Sequence, residues 1–587
     1  MTFFRQFRVI SLLLLGLAFT SEHTIAQGAR RGGAHAAKID RSLEKAVRSG
    51  EPRVRAIVQV DRATRGFVGS RVTRRGGRLL HEFNMISALL VDIPTPLLDD
   101  LKRWPGVRVI SSDPRVGIPV DDLVRDAGPS APVRSLRQMV SLAGASLSGA
   151  GAGVGVAVID SGVQKSPDFG ARITAFYDFT KGGVARTPYD DYGHGTHVAG
   201  LIGGNGAMSK GLYAGIAPHV SLIGLKVLDG NGQGYASDVI SALEFATVNK
   251  SALGIDVINL SLGHPPFESA STDPLVKAVN AASAAGILVV TSAGNMGINP
   301  ATGLPGYGGI NSPGTSAAAV TVGAGKGFDT PSRGDDTVAS FSSRGPTRFD
   351  ITLKPDVIAP GHRLVAPASV GSTLVRENPS LLVAGASGAP NYIRLSGTSM
   401  AAAVVSGVAA LLVEAQHVAA PSDHAATALT PNALKAILEF SAIVMRDEAN
   451  QDYSPLVQGA GAVNAAGAVA LARAIDTDAA PGAWWLAEGV QPFTPDDGVP
   501  WAQVVLWGRK ALWGGAVYWN LPGWRTDVLW GDSLDDNVLW GDSLLEDNVL
   551  WGDSLDDNVL WGDNVLWGDN VLWGDSMLDA TGTAKVQ

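Results

Sequence analysis

An uncharged stretch over residues 395–413 constrains the fold of this chain more than any other segment. Gly397 and Thr398 precede Ser399, and small or apolar residues then continue without a charge until Glu414. The pattern predicts a tight turn that leads into a buried helix, because a helix that is apolar on every side belongs in a protein core. Ser399 would lie in its first turn, where free backbone N–H groups and the helix dipole favour a developing oxyanion. A serine N-cap on a core helix fits the same residues.

Two upstream segments end or begin with polar side chains that suit such a serine. Residues 154–159 are a continuous apolar run of strand length, and Asp160 follows directly. A carboxylate at the C-terminal end of a parallel strand lies where α/β sheets place their sites. His194 begins a second apolar segment, between glycines that allow close backbone approach. A serine hydroxyl needs a neighbouring base to become a nucleophile, and an acid to orient that base.

These segments resemble the signature blocks of the subtilisin-like serine peptidases. The blocks read Asp160-Ser-Gly, His194-Gly-Thr-His and Gly397-Thr-Ser399-Met-Ala, in the order Asp, His, Ser of that family. The resemblance implies that Ser399 attacks the scissile carbonyl. His194 would take its proton and pass it to the leaving amine, and Asp160 would orient and stabilise the imidazolium.

The resemblance extends to an oxyanion site and to a substrate cleft. Residues 287–295 read as a strand that ends in Asn295, whose amide would donate to the tetrahedral oxyanion beside the Ser399 backbone N–H. Losing one such donor costs about 10²–10³ in rate. An asparagine in a glycine-rich turn is the ordinary alternative for Asn295. The residues that the resemblance assigns to substrate binding are Ser261, Leu262, Gly263, Gly232, Gln233, Gly234 and Gly294.

Two backbone segments on either side of a substrate would hold it by pairing, which is blind to sequence and predicts broad specificity. Beyond Asn295 stands Met296, and no acid occurs at the positions that align with the main specificity pocket. We therefore expect an apolar or aromatic residue on the acyl side of the cut. For residues 261–263 a simple strand end is the alternative interpretation.

Residues 150–475 form the predicted catalytic domain, in which strands alternate with helices. This alternation predicts an α/β fold, with a mostly parallel sheet and helices on both faces. Ala403 stands where the family usually has proline, so the helix after Ser399 should be straight. His197 leads into an apolar segment and is interpreted as a packed structural histidine. The chemistry requires no cofactor, and although structural calcium suits a secreted enzyme, residues 205–215 show no clear match to the family's calcium loop.

Three segments precede this domain. Residues 1–26 read as an export signal, with Arg5 and Arg8 before an apolar run too short to span a bilayer; an uncleaved anchor is the alternative. Residues 27–115 resemble the small α+β (ferredoxin-like) inhibitory propeptide of the family, although they would also suit a permanent accessory domain. Within them, a basic, turn-rich stretch follows a strand that ends at Val60. Residues 116–149 form a connector in or near which the maturation cut would fall.

Residues 476–587 are a separate tail, because thirteen of the fourteen tryptophans lie beyond residue 483. Repeats of Asn-Val-Leu-Trp-Gly-Asp suggest stacking into a small solenoid or sheet, which would bind a cell surface or polysaccharide. The repeat aspartates could bind calcium. A disordered tail or a secretion tag is the plainer alternative. The repeats centre on Trp540, Trp551, Trp561, Trp567 and Trp573.

Composition limits the class of function. The chain of 587 residues has a net charge of −9, which argues against nucleic acid as its main partner. The absence of cysteine excludes disulfides, thiolate metal sites and a thiol nucleophile. The sequence therefore predicts a secreted serine endopeptidase made as an autoprocessed zymogen, with its own propeptide as inhibitor. A surface-binding or scaffold protein with a degenerate protease domain is the other class.

Overall fold

The computed structural model describes residues 38–118, 123–124, 135–142, 149–327, 332–419, 429–476, 500–507 and 510–513, and the short segments 559–561, 565–567, 577–578 and 584–585. The predicted export signal and most of the connector and tail lie outside these residues.

Residues 38–112 build a sheet of five strands with helices against it. The strand order is β1-β5-β2-β4-β3, and only the β1–β5 pair is parallel. Helix α2 occupies part of the stretch that we expected to be turn-rich, and it buries only Val68, Gly69 and Val72. The elements are β1 (Lys38–Ile39), α1 (Arg41–Ser49), β2 (Arg53–Val60), α2 (Arg65–Arg74), β3 (Arg78–Phe83), β4 (Ala88–Pro94), α3 (Leu97–Leu101) and β5 (Val107–Ser112).

A nine-stranded sheet forms the centre of the larger domain, in the order β15-β14-β13-β12-β7-β10-β8-β9, with β16 also pairing with β14. All described neighbours are parallel except β14–β15 and β8–β9. The inner strands are uninterrupted apolar runs because helices cover both faces. The strands are β7 (Gly155–Asp160), β8 (Ile173–Asp178), β9 (Val184–Ala185), β10 (Ser221–Lys226), β12 (Val257–Leu260), β13 (Leu288–Ser292), β14 (Val320–Lys326), β15 (Thr337–Val338) and β16 (Val357–Pro360).

Two small sheets complete this domain. One joins β6 (Arg115–Gly117) to β11 (Gln233–Tyr235), and the other has the order β17-β19-β18. The strands of the second are β17 (Leu364–Pro367), β18 (Leu382–Val383) and β19 (Tyr392–Leu395). The helices are α4 (Leu136–Met139), α5 (His194–Gly203), α6 (Ala236–Val248), α7 (Lys250–Leu253), α8 (Pro274–Ala284), α9 (Thr373–Glu377), α10 (Thr398–Ala419), α11 (Pro431–Phe440), α12 (Pro455–Gln458) and α13 (Ala465–Ala474).

Helix α10 runs through the middle of the core. It packs against α5, α13 and five strands of the central sheet, whereas α6 and α8 pack against each other and the same sheet. Residues 398–416 are long and apolar enough to cross a membrane, yet all of them are buried inside the protein, so this is a core helix. It continues without interruption past Ala403, as the alanine predicts. The α/β architecture predicted from the alternating elements is confirmed.

The start of the tail packs on the larger domain. Trp501 is buried edge-on against Phe440, and the Leu506 backbone N–H donates to Glu439 at 2.9 Å. The expected boundary at residue 475 therefore leaves out a segment that belongs to the domain surface. A hairpin of β20 (Val504–Trp507) and β21 (Lys510–Trp513) follows. Farther on, β22 (Val559–Trp561) pairs with β23 (Val565–Trp567), and β24 (Met577–Leu578) with β25 (Ala584–Lys585).

Candidate active site

Asp160 and His194 form a fully buried pair. Strand β7 ends at Asp160 and helix α5 begins at His194, so both side chains lie at the C-terminal ends of the parallel strands. The His194 Nδ1 atom lies 2.8 Å and 3.0 Å from the two Asp160 carboxylate oxygens. The Ser161 backbone N–H also donates to Asp160, at 2.7 Å. A proton on Nδ1 satisfies the carboxylate, which leaves Nε2 as the basic nitrogen of a neutral ring.

Asp190 fixes this pair, and sequence reasoning missed it. Its carboxylate accepts the Gly193 N–H at 2.8 Å and the Thr196 N–H at 2.8 Å, and so caps the start of α5. It also accepts the Ser161 hydroxyl at 2.9 Å, and Ser161 in turn accepts the Gly195 N–H at 2.9 Å. Burial raises the pKa of Asp190 above its ordinary value, and the hydrogen bonds from Thr196 and Gly193 offset only part of this rise. No helix-start pattern singles out Asp190 in the sequence, because Gly193 is the N-cap residue of α5.

Ser399 lies in the first turn of α10, beside the segment that contains Ser261. Its hydroxyl donates to the Ser261 carbonyl at 3.0 Å, and the Ser261 hydroxyl donates back to the Ser399 carbonyl at 2.8 Å. The buried His194 Nε2 has no hydrogen-bond partner in the part of the chain that the structure describes. Asp160 and His194 are thus hydrogen-bonded to each other, whereas the Ser399 hydroxyl donates to the Ser261 carbonyl and not to His194.

Asn295 follows β13 and is tied to the start of α10. Its Oδ1 atom accepts both the backbone N–H and the hydroxyl of Thr398, each at 3.0 Å. Because Oδ1 accepts both hydrogen bonds, the orientation of the amide is defined, and its nitrogen, Nδ2, is the atom that can donate to a substrate. A Cβ atom placed on Gly397 would lie 3.6 Å from Nδ2, so the amide nitrogen lies close to the start of α10. An amide donor beside the N-terminus of α10 is what stabilisation of an oxyanion requires.

Gly294 could not be another residue. Its φ of +103° lies in the left-handed region, and a Cβ there would approach Asn311 and Ser343 to 2.9 Å. Its N–H donates to the Thr398 hydroxyl at 3.1 Å, which extends the network that orients Asn295.

An extended segment of the chain itself lies in the cleft. Strand β6 pairs antiparallel with β11, and Gly117 also forms an antiparallel bridge with Gly263 on the opposite side. The Gly117 N–H donates to the Gly263 carbonyl at 3.4 Å, and the Ile118 N–H donates to the Gly232 carbonyl at 3.1 Å. Residues 115–118 therefore run between the two backbone segments that the sequence assigned to substrate.

His197 has a structural environment. It is fully buried, and its Nε2 lies 3.1 Å from the Leu364 carbonyl. Burial, together with the nearby His194, lowers the pKa of His197 to about 3. The ring is therefore neutral at physiological pH, as expected for a packed structural histidine. Among the described residues, no group of three or more histidine or acidic side chains is placed to hold a metal ion.

The chain is similar to a family of known proteins and to individual members of it. The Subtilase family matches residues 151–468, which is more than half of the chain. Serine protease AprX of Bacillus subtilis is 35% identical over 398 residues, covering 67% of this chain and 81% of AprX. Subtilisin E of the same organism is 32% identical over 345 residues, covering 58% of this chain and 74% of subtilisin E.

A solved structure shares the fold. Fervidolysin from Fervidobacterium pennivorans, described as a keratinolytic enzyme related to subtilisin, aligns with a TM-score of 0.54 at 21% identity. The alignment covers 74% of this chain and 63% of that chain. The chain belongs to the subtilase family and is a subtilisin-like serine endopeptidase.

Proposed function

We propose that this chain is a secreted serine endopeptidase of broad specificity, in which Asp160, His194 and Ser399 cleave peptide bonds through an acyl-enzyme. The observation that carries the proposal is the buried Asp160–His194 pair, with Nδ1 bound to the acid and Nε2 left without a described partner. Incubation of the purified chain with casein and a serine-reactive phosphonate tests it. Cleavage that the phosphonate abolishes supports the proposal, and cleavage that continues unchanged contradicts it.

We propose a task for each of these groups. With Nδ1 protonated and held by Asp160, His194 Nε2 accepts the Ser399 proton as the oxygen attacks the scissile carbonyl. The same nitrogen then protonates the leaving amine, and a water molecule repeats the sequence on the acyl-enzyme. Asn295 Nδ2 and the Ser399 backbone N–H donate to the oxyanion, and the positive end of the α10 dipole adds to their effect.

We further propose that residues 38–118 act as the inhibitory propeptide. The Asp113 carboxylate accepts the Ser237 backbone N–H at 2.9 Å, at the start of α6. Farther along the same helix, Glu244 accepts the Asn84 and Met85 N–H groups, at 3.0 Å and 3.3 Å. In support of this proposal, these contacts hold the small domain against the larger one, and residues 115–118, which follow its last strand, lie in the cleft. A permanent accessory domain is not expected to occupy the substrate-binding site, whereas an inhibitory propeptide is.

Carboxylates from both domains meet at this interface. Asp40 of the small domain lines one small cavity with Glu268 and Asp273 of the larger one, and His264 lies at its wall. Burial, followed by the charges of Asp273 and Asp40, raises the pKa of Glu268 to about 7. Burial also raises the pKa of Asp40. The cation that interacts with Glu268 is Lys277, whose own pKa burial lowers.

We predict that the propeptide complex weakens as pH rises from about 5 to about 7. Loss of the small domain opens the cavity and removes Asp40, so the pKa of Glu268 falls back towards its ordinary value near 4.5. A group whose pKa is higher in the complex favours binding while it is protonated, and that contribution is lost as pH rises to the higher pKa. Deprotonation of each such carboxyl weakens propeptide binding by up to about tenfold per pH unit in this window.

The measurement is dissociation of the cleaved but unreleased complex, followed by recovery of activity after dilution at pH 5, 6, 7 and 8. Dissociation should level off above pH 7, and Glu268→Gln should flatten the profile. A complex that is equally tight at pH 5 and pH 7 would exclude this role for the cavity.

We base the proposed substrate specificity and cellular location on the sequence. We propose an apolar or aromatic preference on the acyl side of the cut, because Met296 adjoins Asn295 and carries no charge. A panel of peptide substrates that showed strong preference for Arg or Lys at that position would contradict this. Export through residues 1–26 and binding of a surface or polysaccharide by the tail complete the proposal.

A further inference from the structure

Lys226 is a buried lysine beside the active site that the catalytic steps do not use. It is the last residue of β10 and lies opposite Asp160 in the parallel register of β10 and β7. Only 1% of its side chain is exposed. Its ammonium donates to the Ser161 carbonyl, the Leu228 carbonyl and the Asp191 carboxylate, each at 2.6 Å. An ammonium group has three protons, so all of them are used and the side chain is held in one position.

Ser161 connects Lys226 to the Asp160–His194 pair. While its carbonyl accepts the Lys226 ammonium, its backbone N–H donates to the Asp160 carboxylate at 2.7 Å. Its hydroxyl accepts the N–H of Gly195, the residue after His194, at 2.9 Å. The residue that Lys226 holds therefore contacts both the acid and the helix that carries the base.

A second link between Lys226 and the pair is electrostatic and passes through Asp190. The Asp190 carboxylate accepts the Ser161 hydroxyl at 2.9 Å and the Gly193 N–H at 2.8 Å, and so holds the start of α5. Burial raises the pKa of Asp190, whereas its hydrogen bonds and the charge of Lys226 lower it. Without that charge the carboxyl would bind a proton more readily, and a protonated carboxyl accepts fewer hydrogen bonds.

Acidic side chains surround the ammonium of Lys226. The ring centre of Tyr189 lies 5.1 Å from Nζ, and the Tyr189 hydroxyl donates to Asp178 at 2.6 Å. Burial and this hydrogen bond raise the pKa of Tyr189, so it stays an uncharged donor. The titratable groups that face Lys226 or Asp190 are Asp160, Asp178, Tyr189, Asp191 and His194. The positive charge of Lys226 thus lies among carboxylates and offsets part of their mutual repulsion.

We propose that Lys226 is a positioning residue for the Asp160–His194 pair, which it orients through the Ser161 carbonyl and through its charge beside Asp190. The inference rests on the proposed function of that pair. Because Lys226 acts on the acid and the base and not on bound substrate, its loss should lower kcat and leave KM nearly unchanged.

Lys226→Met tests the inference, because methionine fills a similar space without a charge or an N–H. We expect kcat of the matured enzyme on a chromogenic peptide to fall about tenfold to a hundredfold at neutral pH, since a small misplacement of catalytic groups costs up to about 10² in rate. The activity of the variant should recover in part between about pH 7 and about pH 10, as Asp190 loses its proton again. In an Asp190→Asn background most of that recovery should disappear. Lys226→Arg keeps the charge and should lie closer to the natural enzyme.

Lys354→Met is the matched control. Lys354 is also fully buried, and its ammonium donates to Asp356 at 2.6 Å and to the Ala319 carbonyl at 3.1 Å, away from the active site. Its replacement should lower the temperature of unfolding, because it removes one partner of a buried ion pair. It should leave kcat within about tenfold of the natural value and the pH profile unchanged, as expected for a distant site.

The inference would be overturned if Lys226→Met kept the natural kcat and pH profile, or if Lys354→Met changed both in the same way. Thermal unfolding in a Ser399→Ala background shows whether each variant folds. If Lys226→Met does not fold, Lys226→Gln provides the same comparison, since its amide keeps a donor for Ser161 without the charge. Casein hydrolysis by the natural chain separates the two failures: it persists if only this inference is wrong, and it is absent if the proposed function is wrong.

Discussion

Replacing Ser399 by alanine is expected to abolish hydrolysis of casein and of peptide substrates. The change removes the oxygen that attacks the carbonyl, while the buried Asp160–His194 pair stays in place. In subtilisin, loss of the serine lowers kcat about 2 × 10⁶-fold, and a similar loss is expected here. Rates are measured on purified chains with a chromogenic peptide, and substrate affinity should change little. The same variant should also keep residues 38–118 attached, because the cut that releases them would be made by this site.

Ser396→Ala is the control for this result. Ser396 is a buried serine of the same sequence block, and its hydroxyl accepts the Arg363 N–H at 3.0 Å. It should retain activity to within about tenfold, because the change costs one hydrogen bond and leaves the site intact. Substantial casein hydrolysis by the Ser399→Ala chain, or its unaided maturation, would show that another group performs the chemistry.

Replacing Asp160 by asparagine should have the second largest effect. Asparagine keeps the shape but can present an N–H to Nδ1, which favours the tautomer with the proton on Nε2 and removes the base from Ser399. The stabilising charge beside the imidazolium is lost as well. Removing the equivalent acid in subtilisin lowers kcat about 3 × 10⁴-fold. We expect a loss of about 10⁴ in kcat, with KM nearly unchanged, measured by steady-state kinetics on the matured enzyme.

Asp178→Asn provides the matched comparison for Asp160→Asn. Asp178 is also buried at the end of a central strand, but it accepts the Tyr189 and Thr180 hydroxyls, each at 2.6 Å. Its replacement should lower stability and leave kcat within about tenfold. If both variants lost activity equally, the effect would belong to buried carboxylates in general and not to the partner of His194.

Continuous apolar runs made the central elements predictable. Residues 154–159 are apolar and residues 400–413 are small or apolar throughout, because each segment is buried on all sides; they form the cores of β7 and α10. Helix α2 was not predicted because only two valines of this basic segment, Val68 and Val72, reach the core. The segment therefore lacks the apolar periodicity of an amphipathic helix.

Contacts between distant parts of the chain could not be read from local pattern. Residues 116–118 read as the start of a connector, because the segments they pair with lie more than a hundred positions away in the sequence. Asp190 lies before the N-cap residue of α5, and its bond to Ser161, which ties α5 to the end of β7, exists only in the folded chain. The motifs likewise named Ser399 and Ser261 without indicating that their hydroxyls and carbonyls bind each other.

The most direct test of the account is to locate the adduct of a serine-reactive phosphonate on the matured enzyme by peptide mass spectrometry. The account predicts one phosphonate per molecule, on Ser399, formed at the rate at which casein hydrolysis is lost, and no adduct in the His194→Ala enzyme. An adduct on another residue, or an enzyme that remains fully active while Ser399 is labelled, would contradict it.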